Sequence, residues 1–221
     1  MIKCVIFDMD GLLIDSEPFW REAAILAFKK VNIHLTNDQL AQSMGMRHDE
    51  VVKYWLNKYQ KEDVSNQAIE LDILAKVQEL VEEKGTLMPG VLEILEFFKQ
   101  KKIPIALASS SPLGIIQSVL ETLKIKNKFK ITYSAEYEEF GKPHPAVFIA
   151  TSNYMRVDPE DCLVFEDSLN GVLAAKSAKM KCIAIPSKED FEKPQFTIAD
   201  LKLKSLLDFT ESHLNELTTN N

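Results

Sequence analysis

The sequence is poor in cysteine and in histidine and has no excess of positive charge, and each shortage closes off a class of function. Three cysteines, Cys4, Cys162 and Cys182, lie far apart in apolar, strand-like runs. An odd number at such spacing builds neither a disulfide framework nor a zinc cluster, so buried, reduced thiols are expected. His34 and His213 fall in loop-like or polar stretches without metal-ligand spacing and are assigned no role. With 33 acidic against 26 basic residues, the formal net charge is −7. That balance argues against nucleic acid or an anionic membrane surface as the main partner. No apolar stretch is long enough to span a bilayer, and the first residues run directly into a strand pattern without a basic, then apolar, leader. A cytoplasmic protein is expected. There is no internal repeat and no low-complexity tract.

What remains is a chain of 221 residues with 46% hydrophobic content, enough for one large domain or a core with a smaller insertion. Strand-like apolar segments recur at Ile2–Phe7, Ile103–Ala108, Ile131–Tyr133, Cys162–Phe165 and Cys182–Ile185. After the first, helical patterns separate them, including Leu113, Ile116, Val119, Leu120 and Leu123 at i, i+3 and i+4 spacing, as a parallel α/β sheet requires. The interval from Ser16 to about Gly85 breaks this rhythm with helical patterns and no strand. Ser16 is placed to cap a helix with Pro18 in its first turn, Thr36 and Gln39 form a capping-box pattern, and Val51, Val52, Trp55, Leu56 and Tyr59 make an apolar helical face. The expected organisation is a doubly wound core of residues 1–15 and 86–221 with an inserted helical domain of residues 16–85. Its hinges are expected at Leu13–Ser16 and in the Gly85–Gly90 segment.

Four chemical signals follow strand-like segments. The first is Asp8-Met-Asp10-Gly11, two carboxylates at the end of a buried strand, where open α/β sheets bind ligands. Two such acids need a cation, an opposing base or water nearby. The others are Ala108-Ser109-Ser110-Ser111, Gly141-Lys142-Pro143 and Phe165-Glu166-Asp167-Ser168. Each alone has an ordinary reading, since an Asp-x-Asp often ends a strand and a serine run often caps a helix. Together they supply carboxylates, hydroxyls, a lysine and a second acidic pair, an inventory that suits phosphoryl transfer through an aspartate and Mg²⁺.

In this order the four motifs resemble those of the haloacid dehalogenase superfamily, in its phosphatase branch with a helical cap domain, and the resemblance covers nearly the whole chain. Asp15-Ser16-Glu17-Pro18 and the segment from Ala108 to Leu113 look most similar to bacterial sugar-phosphate phosphatases of the 2-deoxyglucose-6-phosphatase and hexitol-phosphatase kind. The resemblance implies a Mg²⁺-dependent hydrolase of small phosphorylated metabolites, monomeric or weakly homo-oligomeric. Asp8 is implied as nucleophile, forming an aspartyl-phosphate. Asp10 is implied as the acid that protonates the leaving oxygen and the base that later activates water. Asp8, the Asp10 carbonyl and Asp167 are the implied Mg²⁺ ligands, with Glu166 binding directly or through water. Ser109, the Ser110 N–H at a helix start and Lys142 are implied phosphate contacts.

The inserted domain is expected to set the substrate. A loop at Gly45-Met46-Arg47-His48 would close over the core, with Arg47 either meeting a sugar hydroxyl or capping a helix. Glu17 and Trp20 either face the same cleft or, for Trp20, pack with Ala23, Ala24 and Ala27. His144 either stabilises its loop or takes part in catalysis, Glu136–Glu139 is a solvated loop face, and Gly171 allows close packing after the fourth motif. A β-phosphoglucomutase-type mutase is the alternative, but such relatives carry a histidine at the position of Trp20 and a basic residue at Pro112. A non-catalytic binding protein of this fold would have no need of Asp10 and Lys142 together.

Overall fold

A computed structural model describes residues 1–43 and 46–219. Six parallel strands form one sheet: β1 (Cys4–Phe7), β2 (Ile105–Ser109), β3 (Ile131–Ser134), β4 (Cys162–Glu166), β5 (Lys181–Ala184) and β6 (Leu201–Lys202), in the order β3-β2-β1-β4-β5-β6. The chain winds one way from β1 to β3 and the other way from β4, so the switch lies beside β1, where ligand crevices open at the carboxyl ends of strands. The expected doubly wound α/β core is therefore present.

Alternation along each strand explains the two faces. Val5, Phe7, Leu107, Leu163 and Phe165 belong to one apolar layer, whereas Cys4, Ile6, Ala106, Ala108, Cys162, Val164 and Cys182 belong to the other. The second face is built of small residues, and all three cysteines sit in it, buried and free. Helices α7 (Ala146–Met155) and α8 (Leu169–Ser177) cover this face. Helices α5 (Val91–Gln100), α6 (Leu113–Thr122) and α9 (Glu211–Thr219) cover the face bearing larger side chains.

Between β1 and α5 lie four helices and, among the described residues, no strand: α1 (Glu17–Lys29), α2 (Asn37–Ala41), α3 (His48–Lys58) and α4 (Asn66–Lys84). The Thr36–Gln39 capping box forms as the sequence predicts, with both reciprocal bonds present. Of the predicted apolar face on α3, Val52, Trp55 and Leu56 are buried. The two connections to the sheet run side by side, with Met88 N donating to Leu13 O at 3.0 Å and Ile14 bridging Leu87 antiparallel. Gly90 adopts φ +89°, a left-handed conformation that favours glycine, directly before α5.

Two local expectations are corrected. Ser16 stands at the N-cap of α1, but its hydroxyl makes no cap bond and instead donates to Asp10 Oδ1 at 2.5 Å. Ser110 does not start a helix, because Pro112 occupies the N-cap of α6 and the helix begins at Leu113.

Candidate active site

The carboxyl ends of β1, β2 and β4 bring the four motifs to one point. Asp8 follows β1, and its amide N–H continues the sheet by donating to Phe165 O at 3.0 Å. Ser109 ends β2, while Glu166 ends β4 and Asp167 follows it. Lys142 arrives from the loop before α7. Asp8, Ser109, Lys142, Glu166 and Asp167 are all buried, although they are polar or charged. Burying such groups is unfavourable unless they are paired.

Lys142 does most of that pairing. Its Nζ donates to Asp8 Oδ1 at 2.5 Å and to Glu166 Oε1 at 2.6 Å, and it lies 4.9 Å from the Phe148 ring centroid. Burial works against the ammonium, but the two carboxylates outweigh it and hold the Lys142 pKa raised. Glu166 has its other oxygen engaged as well, since Oε2 accepts from the Ser168 N–H at 3.0 Å and the Ser168 hydroxyl at 3.1 Å. Two glycines make room for this packing. A Cβ on Gly171 would lie 1.8 Å from Glu166 Oε1, and one on Gly11, at φ +73°, would lie 2.1 Å from Asp167 Oδ2.

One ammonium does not balance the buried acids. Asp8, Glu166 and Asp167 each offer an oxygen, all within 4.8 Å of one another. Burial pushes the Asp8 carboxyl up to about 8, with Glu166 and Asp10 adding to the rise and Lys142 opposing it. Asp167 is raised well above the usual carboxylate range by burial and then by Glu166 and Asp8. A buried set made only of carboxylate oxygens, with excess negative charge, fits a hard divalent cation.

Asp10 is held differently. Its Oδ1 accepts from Ser16 Oγ and Trp20 Nε1 at 3.0 Å, and its Oδ2 from Ser111 Oγ at 2.6 Å and Ser109 Oγ at 3.4 Å. Ser16, Trp20 and Ser111 were not assigned to it from sequence. The triple serine was visible, but which hydroxyl faces Asp10 depends on the turn after β2, where Ser111 N donates back to Ser109 Oγ.

A cavity of about 850 Å³, its open mouth included, joins this point to the inserted helices; Asp8, Asp10, Ser109, Ser110, Lys142 and Asp167 line one end. Glu17 and Trp20, the latter left open between cleft and packing, line the cavity too, as does His48 of the predicted Gly45–His48 loop, and so does Arg21, which sequence reasoning passed over. Arg21 was within reach of it, because i+4 spacing puts it on the same helix face as Glu17. Burial and then Asp10 raise Glu17 to about 6, against the pull of Arg21.

Arg47 does not face the cavity. Its guanidinium bonds Asp49 through Nε and Nη2, at 2.6 and 2.9 Å, and reaches across to the Ala135 and Glu138 carbonyls through Nη1, at 3.1 and 2.6 Å. Gly45 of the same predicted loop lies outside the described residues. His144 is exposed and accepts the Ala146 N–H through Nδ1 at 3.3 Å, a loop-stabilising contact at the start of α7. In the acidic cluster, Glu136 accepts the Leu113 N–H at 3.1 Å and so caps α6, more than the solvated face expected there.

A pair of aspartates at the end of β1, a hydroxyl at the end of β2, a lysine before α7 and acids at the end of β4 form one constellation, and the family model for haloacid dehalogenase-like hydrolases matches residues 2–179. The chain belongs to that family. This haloacid dehalogenase-like phosphatase is 37% identical over 214 residues to hexitol phosphatase B of Escherichia coli (strain K12), with 96% of each chain covered. It is 33% identical over 185 residues to a phosphorylated carbohydrates phosphatase of Thermotoga maritima, covering 82% of this chain and 84% of that one. Among solved structures, a β-phosphoglucomutase of Clostridium difficile matches with a TM-score of 0.88 at 25% identity, over 98% of this chain and 97% of the other. Among the described residues no helix is long and apolar enough to cross a membrane.

Proposed function

We propose that this phosphatase hydrolyses small phosphorylated sugars or sugar alcohols, such as hexitol phosphates or 2-deoxyglucose 6-phosphate, with Mg²⁺ and through an aspartyl-phosphate on Asp8. The observation that carries the reading is one cavity with Asp8, Asp10, Ser109 and Lys142 at one end and the inserted helices at the other. The names of the two phosphatase relatives support the substrate class. Residues 1–15 and 86–221 act as the chemical core in this reading, and residues 16–85 as a cap domain over it.

Asp8 attacks phosphorus, which divides the hydrolysis into two displacements. Lys142 opposes the burial that raises Asp8 and draws the anionic ester towards it, while Ser109 and the Ser110 N–H bind phosphate oxygens. Asp10, held by Ser16, Trp20 and Ser111, gives a proton to the leaving oxygen and then takes one from water. Asp8, the Asp10 carbonyl and Asp167 would hold Mg²⁺, whose charge would favour ionised Asp8 and offset charge at the phosphate. Glu166, with both oxygens bonded to Lys142 and Ser168, serves best as the anchor of the lysine.

The test is inorganic phosphate release from hexitol, hexose, deoxyhexose and pentose phosphates, with and without chelator. Asp8→Asn is expected to lower kcat by at least about 10³-fold. Turnover near wild type in that variant rejects Asp8 as nucleophile. The structural match to a β-phosphoglucomutase favours a second reading, phosphosugar isomerisation. Glucose 6-phosphate formed from β-glucose 1-phosphate with little free phosphate would select it, and Trp20 and Pro112 at the mutase positions count against it.

A further inference from the structure

The catalytic end of the cavity uses Asp8, Asp10, Ser109, Lys142 and Asp167, and it leaves unexplained a second polar group beneath the inserted helices. Glu17 and Arg21 stand one turn apart on α1, and His48 is the first residue of α3; all three line the cavity. Arg21 Nε and His48 Nδ1 are buried without a hydrogen-bond partner. The nearest contact is Arg21 Nε to Glu17 Oε2 at 3.6 Å, an ion pair too long for a hydrogen bond. Buried donors and acceptors are paired in nearly all native structures, so two unpaired ones in one cavity wall call for a partner. Burial lowers the His48 pKa, so the imidazole is neutral and offers one donor and one acceptor.

We infer that Glu17, Arg21 and His48 form the subsite for the hydroxyls of the leaving group, and that it selects neutral polyol or sugar chains over chains with a second anionic group. The inference rests on the sugar-phosphate reading above and adds to it the residues that read the sugar. Charge balance carries the selection. Glu17 faces Arg21 four residues away and Asp10 adds further negative potential, so a second phosphate or a carboxylate meets no uncompensated cation. A hydroxyl both donates and accepts, which suits a carboxylate, a guanidinium and a neutral imidazole together. Trp20, Ala24, Leu40, Val51 and Ile73 complete the wall with apolar surface for the C–H faces.

The experiment compares kcat/KM for a hexitol 6-phosphate, a hexose bisphosphate and ethyl phosphate, which is too short to reach the subsite. Wild type should prefer the hexitol ester to both others. Arg21→Met and His48→Phe should each reduce the preference for hexitol phosphate over ethyl phosphate by about tenfold. His48→Asn, which restores a donor and an acceptor, should recover part of that loss, a response that a purely structural histidine would not give. If wild type prefers the hexitol ester and all three variants keep the full preference, the subsite is rejected while the sugar-phosphate reading stands. A bisphosphate turned over faster than the monophosphate rejects the selection by charge. If wild type shows no preference for hexitol over ethyl phosphate, the sugar-phosphate reading falls and the subsite with it.

Discussion

Asp10 has two tasks in the proposed reaction, and its four hydrogen bonds come from two separate parts of the chain. Ser16 and Trp20 belong to the start of the inserted helices, whereas Ser109 and Ser111 belong to the loop after β2. The carboxylate is therefore fixed on both sides only when α1 lies against the sheet. Trp20 is a positioning residue in this arrangement, because an indole N–H can only donate. Trp20→Phe keeps the apolar body of the side chain and removes the donor. A hydrogen bond to a charged group contributes about 1.5–3 kcal/mol, so kcat should fall about tenfold or somewhat more, with KM changed less. Steady-state phosphate release checks this, and an unchanged kcat would reduce Trp20 to packing.

At the scale of elements, α8 and α3 each hold one side of the site. Gly171, in the first turn of α8, sits so close to Glu166 that Gly171→Ala must push the carboxylate off Lys142 or off Ser168. Overpacking costs about 1–3 kcal/mol, and in a chain of this size each kcal/mol lowers the thermal midpoint by about 2–4 °C. The variant should melt several degrees lower and lose most turnover; a wild-type midpoint would mean that α8 shifts freely. On the other side, Arg47 and Glu50 of α3 and its N-cap clamp the loop that carries Lys142, through the Ala135 and Glu138 carbonyls and the Gly141 N–H. Arg47→Met should weaken this clamp and lower kcat/KM several-fold for long and short esters alike. An effect confined to long esters would return Arg47 to a substrate-binding role. These cases also mark what a sequence discloses. Strands β1 to β5 are legible because each is a short, mostly apolar run set between helical patterns, and the motifs after β1, β2 and β4 converge because parallel strands end on one edge. The two-residue β6 offers no periodicity to read. Ser16 shows a helix start, but not that a carboxylate six residues earlier takes its hydroxyl. Arg47 finds its carbonyl partners 88 and 91 residues away, beyond the reach of local spacing.

For the whole molecule, the buried acids tie stability to pH and to the cation. Asp8, pushed up to about 8, and Asp167, raised well above its usual range, hold protons in the folded state that the unfolded chain has lost above pH of about 4. Where the folded state binds more protons than the unfolded state, stability falls as pH rises. The fall should extend from about pH 4 to about pH 8, the interval between the unfolded and folded values of Asp8. A divalent cation on the same oxygens competes with those protons, so its stabilising effect should grow across that interval. In chelator, the thermal midpoint should be lower at about pH 8 than at about pH 5.5. Mg²⁺ at about 100 times its dissociation constant adds about 2.7 kcal/mol, or roughly 5–10 °C, and this gain should be realised at the higher pH and reduced at the lower. The measurement is a set of four melting curves, two pH values with Mg²⁺ or with chelator. Equal Mg²⁺ gains at both pH values would separate the cation from Asp8 and Asp167, and no gain at either would remove it from the site.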